Sequence, residues 1–156
     1  FQMFWPGAPT LYYGDEAGLC GFTDPDNRRP YPWGQEDQQL ISLHKELIRI
    51  HKDYEVLKTG SFIVLHCEHG VLSFGRFNKK DQFFIALNNN DMEKTITFSV
   101  AELGVTTTFM VSAMLTTQDY MRPEARFYQV VDGKITLTMP PFSSFVLKNH
   151  KGNRNI

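Results

Sequence analysis

The chain has 156 residues, enough for one domain or for a small domain with an appendage, and far short of the ~250 residues of a complete (β/α)8 barrel. Sixteen basic and seventeen acidic residues leave a formal net charge of −1, which excludes the basic field that nucleic acid would need and any acidic tail. No apolar run is long enough for a membrane span, and the two cysteines, Cys20 and Cys67, sit in no CxxC or zinc-like spacing. A reducing compartment, the cytoplasm, is therefore the expected location. The chain opens at Phe1 inside an apolar segment, as a piece of a longer protein would, so a leader upstream stays open.

Residues 1–34 are rich in Gly, Pro and aromatics. A turn (Pro6-Gly7-Ala8-Pro9) leads into the apolar run Thr10-Leu11-Tyr12-Tyr13, read as a short strand that ends in Gly14-Asp15-Glu16. A long loop follows, with Asp24-Pro25-Asp26-Asn27-Arg28-Arg29-Pro30, whose prolines argue against helix. Over 37–53, Leu40, Leu43, Leu47 and Ile50 recur at helical spacing, widened by Ile41 and Ile48, with Asp37 as the N-cap and His51 and Lys52 suiting the C-terminal end of the dipole. That stripe needs a partner, and the large apolar surface within reach is the sheet that follows.

From residue 58 the period changes to two. Ile96, Phe98 and Val100 alternate with threonine and serine, as do Ile135, Leu137 and Met139 with Thr136 and Thr138. Further strands are expected at 61–67, 71–77, 82–88, 108–115, 126–131 and 143–148, separated by turns such as His69-Gly70 and the two-residue hairpin signal Asp132-Gly133. The fold class is mainly β: about eight antiparallel strands are expected in a sandwich over 58–148, in a Greek-key arrangement, after residues 1–57 and before a loose tail at 149–156. Phe62, Phe74, Phe83, Phe98, Phe109 and Phe145 are expected in its core.

The acidic loop is the best place for chemistry. Asp24, Asp26, Arg28 and Arg29 put both signs of charge into one segment, carboxylates and guanidinium groups suit sugar hydroxyls as acceptors and donors, and Tyr31 or Trp33 can stack on a sugar face. An exposed, salt-bridged loop without function explains the same residues, and composition alone favours it. His66, Cys67, Glu68 and His69 look like metal ligands as a string, yet strand alternation sends neighbours to opposite faces, so no metal site is expected. Cys67 has no matched His/Asn context and reads as inert, and His44 and His51 belong on or beside the helix's packing face.

The stretch from Phe4-Trp5-Pro6-Gly7-Ala8-Pro9-Thr10-Leu11-Tyr12-Tyr13-Gly14-Asp15-Glu16 to Leu19 resembles the last barrel-strand motif of the α-amylase superfamily. Thr23-Asp24-Pro25-Asp26-Asn27-Arg28-Arg29-Pro30-Tyr31-Pro32-Trp33 looks like that family's neopullulanase and cyclomaltodextrinase branch, with Asn27 where relatives often have Cys. The resemblance implies that residues 1–57 are the last strand, loop and helix of a (β/α)8 barrel and that 58–148 are its C-terminal sandwich. It implies retaining hydrolysis of α-glucosidic bonds in maltooligosaccharides, cyclodextrins, pullulan or starch, with no cofactor. The family's catalytic carboxylates sit at the ends of earlier barrel strands, and none maps onto this chain. The carry-over is to substrate binding: Asp24 and Arg28 contact glucose on the donor side, and Asp15 and Glu16 brace the strand end. The rival reading is a non-enzymatic sandwich, structural or carbohydrate-binding. It is weakened by an aromatic supply of Tyr54, Tyr120 and Tyr128 in that half, with no Trp. Oligomeric state is left open. Without the rest of a barrel, the helix is expected to dock on the sandwich and residues 1–34 to rely on irregular or intermolecular contacts.

Overall fold

The computed structural model describes residues 1–103, 109–116 and 127–149. After two 3-10 turns, Asp15–Ala17 and Asp26–Arg28, come helix α1 (Gln38–Asp53) and the short helix α2 (Glu55–Thr59). Eight strands follow: β1 (Ser61–Glu68), β2 (Val71–Phe77), β3 (Gln82–Asn88), β4 (Lys94–Ser99), β5 (Phe109–Thr116), β6 (Phe127–Val131), β7 (Lys134–Met139) and β8 (Ser144–Asn149).

The strands pair antiparallel in the order β1-β2-β3-β8-β5-β6-β7-β4. Strand β8 returns to lie beside β5, so β5 to β8 run in the spatial order of a Greek key. The hairpins follow from the turn residues: His69 and Gly70 have φ of 48° and 76°, Asp132 and Gly133 of 49° and 70°. Two consecutive positive φ values match the right-handed twist of the flanking strands.

Strands β4 and β7 show how the alternation is used. Ile96, Phe98, Ile135, Leu137 and Met139 point inward and are buried. On the outer face Thr95 and Thr138 hydroxyls meet at 3.0 Å, and Thr97 and Thr136 at 2.9 Å. The inner residues join Phe84, Ala86, Val130, Phe145 and Leu147 in a core between the two layers of the folded-over sheet. Strand β3 is buried along most of its length because both of its faces are covered.

Its second face carries a separate core, in which Phe74, Phe83, Ile85 and Val146 pack against Ile50, Val56, Leu57, Met3 and Phe4. Helix α1 therefore docks on the sandwich through Ile50, with Leu43, Leu47 and Ile48 half-buried beside it. Its N-terminus is capped as the sequence indicates: the Asp37 carboxylate accepts from the Gln39 and Leu40 amides at 2.9 and 3.0 Å. Ile50 is 0% exposed. Ile50→Ala is expected to destabilise the chain by about 2–5 kcal/mol in urea unfolding, through lost transfer energy and the cavity left behind.

Three details differ from the expectation. Thr10 to Tyr13 form no strand. A strand needs a ladder partner for its amides and carbonyls, and here two of the carbonyls are met locally instead: the Gln2 side-chain amide donates to the Thr10 carbonyl, and the Asp15 amide to the Tyr12 carbonyl at 3.2 Å. Helix α2 has five residues, too few to show a period. Asn149 closes β8; residues 150–156, Tyr120 and the Phe109 side chain lie outside the described residues.

Candidate functional site

The loop between the N-terminal segment and α1 is held by short-range bonds that use its charged residues. Gly14, at φ 91°, turns the chain, and a Cβ there would meet the Leu19 side chain at 2.7 Å, so glycine is required. The Glu16 carboxylate accepts from the Gly14 amide at 3.0 Å. Partial desolvation, aided by the nearby Glu16 and Glu36 carboxylates, pushes the Tyr31 phenol up. The Tyr13 hydroxyl donates to the Arg29 carbonyl at 2.8 Å, and the Asp37 amide to the Ala17 carbonyl at 3.0 Å, joining the loop to α1.

At the tip, Asp24 and Arg28 form a bidentate pair, with Nε to Oδ1 at 2.7 Å and Nη2 to Oδ2 at 2.6 Å. The two side chains are 59% and 67% exposed, respectively. Such an exposed pair adds only about 0–1 kcal/mol to stability. What it does provide is a flat, pre-oriented set of acceptors and donors open to a ligand. Asp26 and Arg29 pair beside it at 2.6 Å. The Arg29 hydrogen bond, aided by the Phe22 amide, holds the Asp26 carboxyl below the usual carboxylate range. Asp15, Asp26, Asn27 and Arg29 line a small open cleft of about 180 Å³ with Tyr12, Tyr13, Cys20 and Gly21. Asp24 and Arg28 stand outside that lining. Phe22 and Trp33 are 83% and 80% exposed, and the Tyr31 and Trp33 rings lie 4.6 Å apart.

Other candidates resolve into local contacts. His44 Nδ1 meets the Leu40 carbonyl at 2.9 Å and His51 Nδ1 the Met3 carbonyl at 2.6 Å. Cys67 is a free, exposed thiol on β1. Among the described residues no three His, Cys, Asp or Glu side chains are grouped so as to hold a metal ion. No helix among them is long and apolar enough to cross a membrane.

No family model matches the chain. Individual relatives do, along almost all of it. The amylopullulanase of Thermoanaerobacter thermohydrosulfuricus is 33% identical over 97% of this chain and 10% of its own length. Neopullulanase 2 of Thermoactinomyces vulgaris is 31% identical over 96% of this chain and 24% of its own. The chain belongs to the neopullulanase and cyclomaltodextrinase branch of the α-amylase superfamily. Solved structures of the superfamily share its fold. The debranching enzyme of Nostoc punctiforme superposes with a TM-score of 0.72 at 29% identity, over 95% of this chain and 29% of that one. An Anoxybacillus α-amylase does so with a TM-score of 0.75 at 26% identity, over 97% and 31%. The chain thus spans about a tenth of the amylopullulanase and a quarter of the neopullulanase. Within the superfamily its sandwich corresponds to the C-terminal domain.

Proposed function

We propose that this chain is the C-terminal part of a retaining α-glycosidase that cleaves α-1,4 linkages, and α-1,6 linkages in pullulan, within maltooligosaccharides, cyclodextrins, pullulan or starch. Residues 1–57 complete its (β/α)8 barrel and 58–148 form the sandwich that supports it. The nucleophile and the acid/base, which flank the anomeric carbon in a double displacement, come from earlier barrel strands. This chain contributes binding. Asp24 accepts hydrogen bonds from glucose hydroxyls on the donor side, and Arg28 donates to them. The observation that carries this reading is the bidentate Asp24–Arg28 pair, pre-oriented at an exposed loop tip. The alternative of a carbohydrate-binding sandwich finds less support: Tyr54 packs its ring on Phe83 at 4.9 Å and Tyr128 on Phe145 at 6.0 Å, so both rings serve the core. We also assign a reducing compartment, the cytoplasm, on the strength of the free, exposed thiols Cys20 and Cys67.

Asp24→Ala or Arg28→Ala, made in the protein that also carries the catalytic carboxylates, is expected to lower kcat/KM on maltooligosaccharides roughly 10- to 100-fold. That corresponds to the loss of one charge-assisted contact worth about 1.5–3 kcal/mol. The melting temperature should hardly move, since the pair is exposed. Unchanged kinetics on short maltooligosaccharides would remove Asp24 and Arg28 from the donor site.

A further inference from the structure

Arg76 lies in β2 and is 1% exposed. Its hydrogen-bond acceptors among the described residues are three main-chain carbonyls. Nη1 donates to Phe4 at 3.0 Å, and Nη2 to Val56 at 3.1 Å and Gly60 at 3.2 Å, while Nε finds no partner. Burial lowers its pKa. A guanidinium taken out of water against carbonyl dipoles costs far more than an apolar side chain of the same length, such as methionine, which would fill this space in the core. The group is therefore to be explained by what it holds.

The three carbonyls belong to the two flanks of the substrate loop. Phe4 lies where the chain enters it. Val56 and Gly60 lie in and after α2, which follows directly on α1, and α1 receives the far side of the loop through the Asp37–Ala17 bond. One rigid fork thus fixes both flanks against the same strand, and lysine, a single point charge, cannot reproduce it. A second, independent bond marks the same entry point: His51 on α1 meets the Met3 carbonyl at 2.6 Å.

We infer that Arg76 is a positioning residue for the substrate loop: from inside the sandwich it sets where the segment bearing Asp24 and Arg28 enters and leaves. This rests on the donor-side reading of that loop. Misplacing the loop weakens binding of ground state and transition state alike, so the effect falls on KM.

Two readouts test it. In this chain, hydrogen exchange is followed at the Trp5, Asp15, Ala17 and Leu19 amides, each bonded to a main-chain carbonyl. Arg76→Met is expected to speed exchange there roughly tenfold more than in β4 and β7. Lys148→Met, which removes the Asp81 ion pair and the contact over the Tyr54 ring without touching Phe4, should show no such bias. In the longer glycosidase, Arg76→Met should raise KM about tenfold with kcat within a factor of about two. Arg76→Lys, keeping the charge and one carbonyl bond, should fall between. If Arg76→Met does not fold, Arg76→Lys must show the same local exchange pattern. Exchange that rises evenly along the chain, or a KM that Lys148→Met raises as much, overturns the inference. If Asp24→Ala leaves kcat/KM unchanged, the functional reading fails separately, and the exchange pattern still decides whether Arg76 holds the loop.

Discussion

Replacing Gly60 by alanine is expected to destabilise this chain by roughly 3–5 kcal/mol, a large share of the 5–15 kcal/mol typical of a domain. The cause is not torsional. Gly60 has φ −71° and ψ 159°, a region open to any residue. A Cβ there would lie 2.3 Å from the Val56 carbonyl oxygen and 3.0 Å from that of Phe77. The Val56 oxygen cannot retreat freely. It accepts the Gly60 amide at 2.9 Å and Arg76 Nη2 at 3.1 Å, so relieving the clash breaks one or both bonds inside the core. Gly34→Ala is the contrasting case: φ is 77°, with nothing within 4 Å of the added carbon, so the cost is that of left-handed backbone alone, about 1–2 kcal/mol. Urea midpoints of the two variants measure both. A Gly60→Ala midpoint equal to that of the unmodified chain would show that α2 can lift from β2 freely.

Where one face of an element is buried and the other is wet, the sequence spells the element out. Leu43, Leu47 and Ile50 give α1, Asp37 gives its cap, and alternation with Asp132-Gly133 gives β7 and the turn before it. Where burial is two-sided or the path is set by distant contacts, it does not. Arg76 in a strand reads as a surface residue. The signal that would have found it is parity: Arg76 shares a face of β2 with Phe74, and that face lies under α1 and Met3–Phe4. The run at Thr10–Tyr13 is apolar enough for a strand, but pairing needs neighbours that composition cannot supply. In the loop, Asp24 and Arg28 at i,i+4 were legible as a motif. The bond from the Tyr13 hydroxyl to the Arg29 carbonyl was not, because it joins residues sixteen apart through irregular turns.

The largest effect expected is on turnover: the chain by itself should hydrolyse no α-glucan. Retaining cleavage needs one carboxylate to attack the anomeric carbon and a second to protonate the leaving oxygen, with the two about 5–5.5 Å apart. Three of the loop's carboxylates are committed otherwise. Asp24 and Asp26 are each paired with an arginine, and Glu16 accepts the Gly14 amide. In the Asp26–Arg29 pair the guanidinium hydrogen bond holds the carboxyl below the usual carboxylate range, which unsuits it for the acid's role. The superfamily's catalytic motifs place both groups elsewhere in the barrel. The direct measurement is release of reducing sugar from starch, pullulan and cyclodextrin by rigorously purified chain, beside its Asp24→Ala variant. No release above the blank is the predicted result. Turnover above the blank that persists in Asp24→Ala would mean that the chain carries its own catalytic pair, contradicting its assignment as a binding and supporting part of a glycosidase.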